Sequence, residues 1–430
     1  MVLVIRLLCV TIPPMASQDK NTTQRLFALL FLLILFVAGW VRTYDLNWDK
    51  GTHLHPDERY LTMVASALKP PETLNAYWDP AISTMNPTNQ GYAGYVYGTF
   101  PLFITRLVGG WLDSLCETAT PTMLSCESGR YTGYGGIHLV GRALSTLADL
   151  LTLIALTVLT YQLFDEHIAL LAGALYSFAV LPIQHSHFFI VDNFATLFVL
   201  CTLTLSVHAV LTGRRWPLLI GGITTGLAVA SKISTWPTAL IVAAGGMLHQ
   251  RRANSRNTYE LTIDVPSLLA LVGSGLLAAI AFRTAQPYAF AGPGFFNVSL
   301  NESWMESMRY IRRLVSGEID VPYGHQWANR TPIVFPWRNM VVWGLGLPLG
   351  LTAWLGWGVL AWQAIRRRRW ILLLPWLWAT GFFLYQGVQW VKSMRYLLPV
   401  YPIFVLFAAW ISVWGSRKLL DLEPRSRPLR

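Results

Sequence analysis

The chain has 430 residues, 53% hydrophobic and only 13% charged, with 33 Lys and Arg against 22 Asp and Glu and a formal net charge of +11. Soluble domains carry about 25% charged residues, roughly twice this share. With a mean hydropathy of +0.42, this composition excludes an ordinary soluble enzyme, a disordered chain, a collagen and a disulfide-stapled miniprotein.

In a soluble protein the basic excess would point to nucleic acid. Here no nucleic-acid partner is expected; the lipid bilayer is, and the basic residues report orientation within it. A crossing helix needs roughly 20 apolar residues. The predicted spans are 26–44, 137–163, 168–185, 189–212, 216–231, 233–249, 265–284, 337–364, 370–389 and 396–415, about ten in all. Lys20 and Arg25 precede the first. Arg214 and Arg215 fall in one connection and Arg251, Arg252 and Arg256 in another. Arg366 to Arg369 form a run, and Arg417, Lys418, Arg425, Arg427 and Arg430 lie in the tail. Ten crossings put every cluster on the cytoplasmic side, with both termini inside. The predicted class is an all-α, multi-pass plasma-membrane protein. It divides into a cytoplasmic segment 1–25, a membrane domain 26–415 and a basic cytoplasmic tail 416–430.

Residues 96–112 (VYGTFPLFITRLVGGWL) test that scheme. A single crossing there would reverse every later loop, so the stretch reads as a re-entrant or surface-lying helix. The alternative is a true span accompanied by a second, unseen crossing. Two long loops, 45–136 and 286–336, then lie outside, where function concentrates. Each holds an amphipathic helix expected along the outer leaflet. One presents Leu61, Val64, Ala65 and Leu68; the other presents Trp304, Met308, Ile311 and Val315. Cys116 and Cys126 share the first outside loop and are a disulfide candidate. Asn297, Asn301 and Asn329 open outside sequons. Met15 is a second candidate start, and no internal repeat is evident.

The informative residues are those lipid would not tolerate by accident. His53-Leu54-His55-Pro56-Asp57-Glu58 follows the first span. Carboxylates at a helix start serve as caps, or one serves as general base while its neighbour positions it or a cation. Asp192 and Asn193 open a later span, preceded by His185 and His187. Lys232 stands alone between two apolar helices, where it must snorkel or meet an anion. Lys392-Ser393-Met394-Arg395-Tyr396 opens the last span. Arg395 can hold a phosphate through two parallel hydrogen bonds and Lys232 as a point charge; Arg283 and Arg142 are weaker members of the set. Asp149, within a span, reads as half of an intramembrane pair with a basic or hydroxyl group. His208 reads as a core histidine. Glu58 and Asp192 are the candidates for holding a divalent cation, Mg or Mn. No serine elbow, nucleotide loop or zinc-helix signature occurs. A base plus cations for a phosphate, at the outer leaflet, suits transfer of a sugar from a lipid phosphate.

Across about residues 26–415 the chain resembles the GT-C glycosyltransferases, in the lipid-carrier-dependent branch that includes protein O-mannosyltransferases and aminoarabinose transferases. The resemblance lies in His55-Pro56-Asp57-Glu58, Asp192-Asn193-Phe194-Ala195, Ser231-Lys232 and Arg395-Tyr396-Leu397-Leu398-Pro399-Val400-Tyr401-Pro402. It implies inverting transfer from a polyprenyl-phosphate sugar, with Asp57 as base and Glu58 in support. Lys232, Arg395 and Arg283 would bind the donor phosphate. His55, Asp192, Asn193, His187 and Tyr396 would line or support the acceptor and sugar pocket. The acceptor, whether glycolipid, polysaccharide or protein, stays open. The loop 322–340 is a further candidate lining. The competing readings are a transporter or flippase for an anionic lipid or solute, which needs the cations but no base, and a structural scaffold.

Overall fold

The computed structural model describes residues 19–118, 129–253 and 256–422. The first span is α1 (Asp19–Thr43), whose outward face of Leu29, Leu33, Phe36 and Trp40 is exposed. Its last turn carries Arg42, fully buried, and this residue fastens the helix to the bundle. Arg42 Nε lies 2.5 Å from Asp149 Oδ2, and its other nitrogens donate to the carbonyls of Ser177 and Tyr176. Tyr176 donates its hydroxyl to Asp149 Oδ1 at 2.6 Å. The expected partners of Asp149 are thus both present, one basic and one hydroxyl.

Helix α2 (Pro56–Ala67) begins at the first-loop motif, and α3 (Thr99–Thr118) takes in all but the first three residues of the ambiguous stretch 96–112. The apolar face of α2 does not lie on lipid. Leu61, Val64, Ala65 and Leu68 are fully buried and pack with Phe103, Ile137, Phe189 and Val191. The 3.6-residue periodicity holds, but protein rather than membrane covers the face. Helix α3 carries Arg106, Asp113 and Glu117 and is not among the helices long and apolar enough to span. Arg106 donates to Leu68 O, and Asp113 accepts from Tyr131 N and Thr132 Oγ1, so one face of the helix is held on protein while Leu107, Trp111 and Leu115 stay exposed. Cys116 near its end is disulfide-bonded; Cys126 lies outside the described residues, as do Cys9, Met15 and the arginines of 423–430.

The bundle continues with α4 (Tyr134–Leu163), α5 (Glu166–Ser177) and α6 (Val180–Ser186), the last two bent by 58°. Next come α7 (Asp192–Thr212), α8 (Trp216–Ser231) and α9 (Thr238–Met247). Strands β1 (Leu248–Ala253) and β2 (Arg256–Leu261) then pair antiparallel, a hairpin no sequence signal announced. After it run α10 (Val265–Ala285), α11 (Glu302–Ser316), α12 (Leu347–Arg366), α13 (Leu373–Gly387) and α14 (Tyr401–Leu422). Among the described residues five helices are each long and apolar enough to cross a membrane, and the bent α5–α6 pair would make a sixth. The other predicted spans exist as shorter or interrupted helices. Pro237 separates α8 from α9, and a π turn over Met340–Gly344 followed by Gly346 at φ +85° precedes α12.

Small residues permit the closest crossing. A Cβ at Gly222 or Gly226 would overlap backbone atoms of Ser274 or Ala278, so α8 and α10 pack backbone to backbone. A Cβ at Gly98 would overlap the carbonyls of Ala230 and Ser231. That contact seats the start of α3 on the C-terminal end of α8, next to Lys232. Asp149→Ala, which leaves Arg42 buried without its carboxylate, should lower unfolding stability by about 3–5 kcal/mol. Arg42→Met with Asp149→Leu should recover most of it. Detergent thermal melts of the three proteins check both.

Candidate active site

The site begins at α2. His55 caps it, accepting from Glu58 N through Nδ1 at 3.3 Å, and Pro56 occupies the first turn, where a missing N–H costs nothing. Burial, and then the nearby charge of Arg395, push the His55 imidazole down to about 4, so it stands neutral at neutral pH. Consecutive residues of a helix project about 100° apart, and Asp57 and Glu58 accordingly face different surroundings.

Glu58 points inward and is fully buried. Arg142 of α4 grips both its oxygens at 2.7 Å, and Phe189 N donates to Oε1 at 2.9 Å. The same guanidinium holds both oxygens of Asp49 at 3.0 Å, donates to Leu46 O and stacks on Trp48. Burial would raise the Asp49 carboxyl, but the hydrogen bonds and charge of Arg142 overcome it and hold it at about 2. Glu58 is therefore an anchor of the first loop, with no oxygen turned to a substrate or metal.

Asp57 points outward, part-exposed. Its Oδ1 accepts from Tyr97 Oη at 3.0 Å, and its Oδ2 pairs with Arg395. Alongside, Lys232 Nζ donates to Asp192 Oδ1 at 2.5 Å. The Tyr396 ring spans the two pairs, 4.3 Å from Lys232 Nζ and 5.4 Å from the Arg395 guanidinium carbon. His55 lies within electrostatic reach of Arg395, His185 and Asp192. Residues from α2, the ends of α6 and α8, the start of α7 and the turn before α14 thus meet at one place. Two carboxylates there are neutralised by two cations.

Other expected members stand apart. Arg283 is buried, donating to the carbonyls of Phe295, Pro287 and Gly294 and lying over Trp78 and Phe290. It shapes the loop that follows α10, with each of its three nitrogens engaged by a backbone carbonyl. His187 sets its ring nitrogens 2.8 and 3.0 Å from the carbonyl oxygens of Ile183 and Tyr44. Asn193 donates to His185 O, tying α7 to α6. Tyr97 was missed, because a tyrosine among many in an aromatic loop carries no sequence signal of its own. Among the described residues no group of three or more His, Cys, Asp or Glu converges to hold a metal ion. The two carboxylates considered for one, Glu58 and Asp192, are engaged by Arg142 and Lys232. The residues present do not fit the expected cation.

A family model described as dolichyl-phosphate-mannose-protein mannosyltransferase matches residues 135–263. No curated protein matches the chain. Among solved structures, the oligosaccharyltransferase AglB from Archaeoglobus fulgidus, in complex with an inhibitory peptide and a dolichol-phosphate, superposes with TM-score 0.55 at 15% identity. That match covers 96% of this chain and 53% of AglB. The same archaeal enzyme with Zn and sulfate gives 0.55 at 15%, covering 91% and 50%. Apo ArnT from Cupriavidus metallidurans gives 0.50 at 15%, covering 94% and 63%. Identities this low establish the fold: this is a multi-pass membrane protein of the GT-C architecture. Its resemblance to the lipid-carrier-dependent glycosyltransferases of that fold appears in both kinds of comparison. The chain spans about half the length of AglB.

Two outcomes follow from the Arg142 anchor. Glu58→Gln should reduce folded yield and thermal stability, a loss of about 3 kcal/mol for breaking a buried pair. A carboxyl held below its ordinary 3.8 stabilises the fold above that pH, and its contribution fades as pH falls from 3.8 to about 2. Asp49→Asn should remove that part of the acid dependence in melts taken across the same range.

Proposed function

We propose that this protein is a membrane glycosyltransferase moving a sugar from a polyprenyl-phosphate donor to an acceptor hydroxyl, with inversion, on the extracytoplasmic face. The observation that carries the reading is the meeting of Asp57, Arg395, Lys232, Asp192, Tyr97 and Tyr396 at one place. The basic clusters of the connections and tail support the sidedness.

At rest the site is neutralised by its own pairs. An arriving donor phosphate competes for Arg395 and Lys232, and Arg395 leaving Asp57 restores the basicity of that carboxylate. Asp57 then takes the proton of the acceptor hydroxyl, whose oxygen attacks the anomeric carbon opposite the phosphate. The bond from that carbon to the phosphate oxygen breaks, its electrons staying with a phosphate stabilised by the two cations. Tyr97, hydrogen-bonded to Oδ1, keeps the carboxylate oriented once the arginine has moved. Beside the site an apolar cavity of about 370 Å³ opens between α3, α8 and α10, lined by Phe100, Ile104, Ile223, Leu227, Leu277 and Ile280. Leu227 lies just over one helical turn before Lys232, so a polyprenyl tail seated there brings its phosphate to that cation.

Asp57→Asn should leave a folded, inserted protein whose transfer from a radiolabelled polyprenyl-phosphate sugar falls about a hundredfold or more. Near-normal turnover would remove Asp57 as base. Lys232→Ala and Arg395→Ala should each weaken donor use, read as a raised donor KM; if both are silent, the lipid-phosphate reading loses its support.

A further inference from the structure

A row of phenols leads out of the site. Tyr97 is hydrogen-bonded to Asp57 and lies within electrostatic reach of Tyr396. Tyr396 stands in the same relation to Tyr323, and Tyr323 to Tyr310 on α11. Tyr97 and Tyr396 are partly buried, whereas Tyr323 and Tyr310 are exposed, at 59% and 46%. Trp390, 38% exposed, sets its indole nitrogen 3.8 Å from where a Cβ of Gly324, the residue after Tyr323, would lie. Its amide donates to Val315 O at 3.0 Å, and its ring packs on Gly317, at φ +86°, where a Cβ would lie 2.7 Å from the indole. Gly317 therefore gives the turn its left-handed backbone and the indole its seat. The loop that carries Tyr323 also holds Asp320 and His325, 2.9 Å apart and both exposed.

We infer that this row is a platform for a saccharide acceptor, so that the hydroxyl attacked into the donor belongs to a glycan and not to a protein side chain. The inference rests on the transferase reading above. A pyranose has one face of C–H groups and a rim of hydroxyls. Aromatic faces accept the first, while phenol, imidazole and carboxylate groups accept the second. Glu318, Asp320, Gln326 and Arg330 are exposed in the same loop, a polarity that suits water and sugar and not acyl chains. The one sheet among the described residues, β1–β2, follows the end of α9 remote from Lys232, so strand addition of a peptide has no edge to use beside the site.

The test uses the full-length protein in lipid nanodiscs, with a radiolabelled polyprenyl-phosphate sugar as donor. Two acceptor pools are offered, prepared from cells lacking the gene: a protease-treated glycan and glycolipid fraction, and a glycan-free protein fraction. Label should enter the glycan pool. Tyr323→Ala should raise the glycan concentration for half-maximal transfer about tenfold, a loss of one stacked face, and much more than it raises that for donor. Tyr323→Phe, which keeps the face, should stay within about twofold of the parent on the same scale. Label entering protein while glycan stays unlabelled overturns the saccharide inference and leaves the transferase reading standing. So does a Tyr323→Ala protein with the parent's glycan dependence. Absence of any donor turnover by the parent overturns both.

Discussion

One guanidinium organises the first loop of this molecule. Arg142 is fully buried and carries Asp49 and Glu58 together, with every strong contact directional and short. Buried charge is tolerated only when its partners replace the water it has lost. Here two carboxylates, the Leu46 carbonyl and the Trp48 face supply that replacement. The first loop must therefore close over α4 in one way, and α2 must start where Glu58 reaches the arginine. With Glu58 directed inward, helical geometry directs Asp57 elsewhere. The two acids of one dipeptide acquire different work from a difference of one residue.

The charges of the site share a second constraint. Asp57 is in the first turn of α2, Asp192 opens α7, Lys232 follows the last residue of α8, and Arg395 lies in the turn before α14. Each stands at a helix end. Within a membrane bundle, irregular backbone survives only where protein or water satisfies it, and helix termini leave polar groups that need such an environment. The break between α8 and α9, which shortens two predicted spans, is the place that admits Lys232. Interrupted helices and a polar site are one solution to one problem.

Much of the site was legible because charge is scarce. In a chain so apolar, Asp57, Asp192, Lys232 and Arg395 stood out before any contact was known. Their physical separation from Glu58, Arg283, His187 and Asn193 was not legible. All eight are polar groups near the ends of apolar segments, and only their partners distinguish them. Arg283 satisfied by three carbonyls and Arg395 paired with a carboxylate look alike as letters. Tyr97, like the aromatic row beyond it, was hidden among 17 tyrosines and 19 tryptophans.

The sequence by itself determined where the apolar segments lie, that the chain is a helical membrane protein, and that Asp149 needs a partner within the bundle. Those follow from local composition and the expense of bare charge in hydrocarbon. It also determined the amphipathic face of α2, since 3.6-residue periodicity is a property of the segment alone. Tertiary structure decided what covers that face, where the spans break, and which acid serves as anchor and which as candidate base. Such outcomes depend on pairs 84 residues apart, as in Arg142 with Glu58, or further, as in Arg395 with Asp57. No local rule reaches across those distances; packing of the whole bundle does.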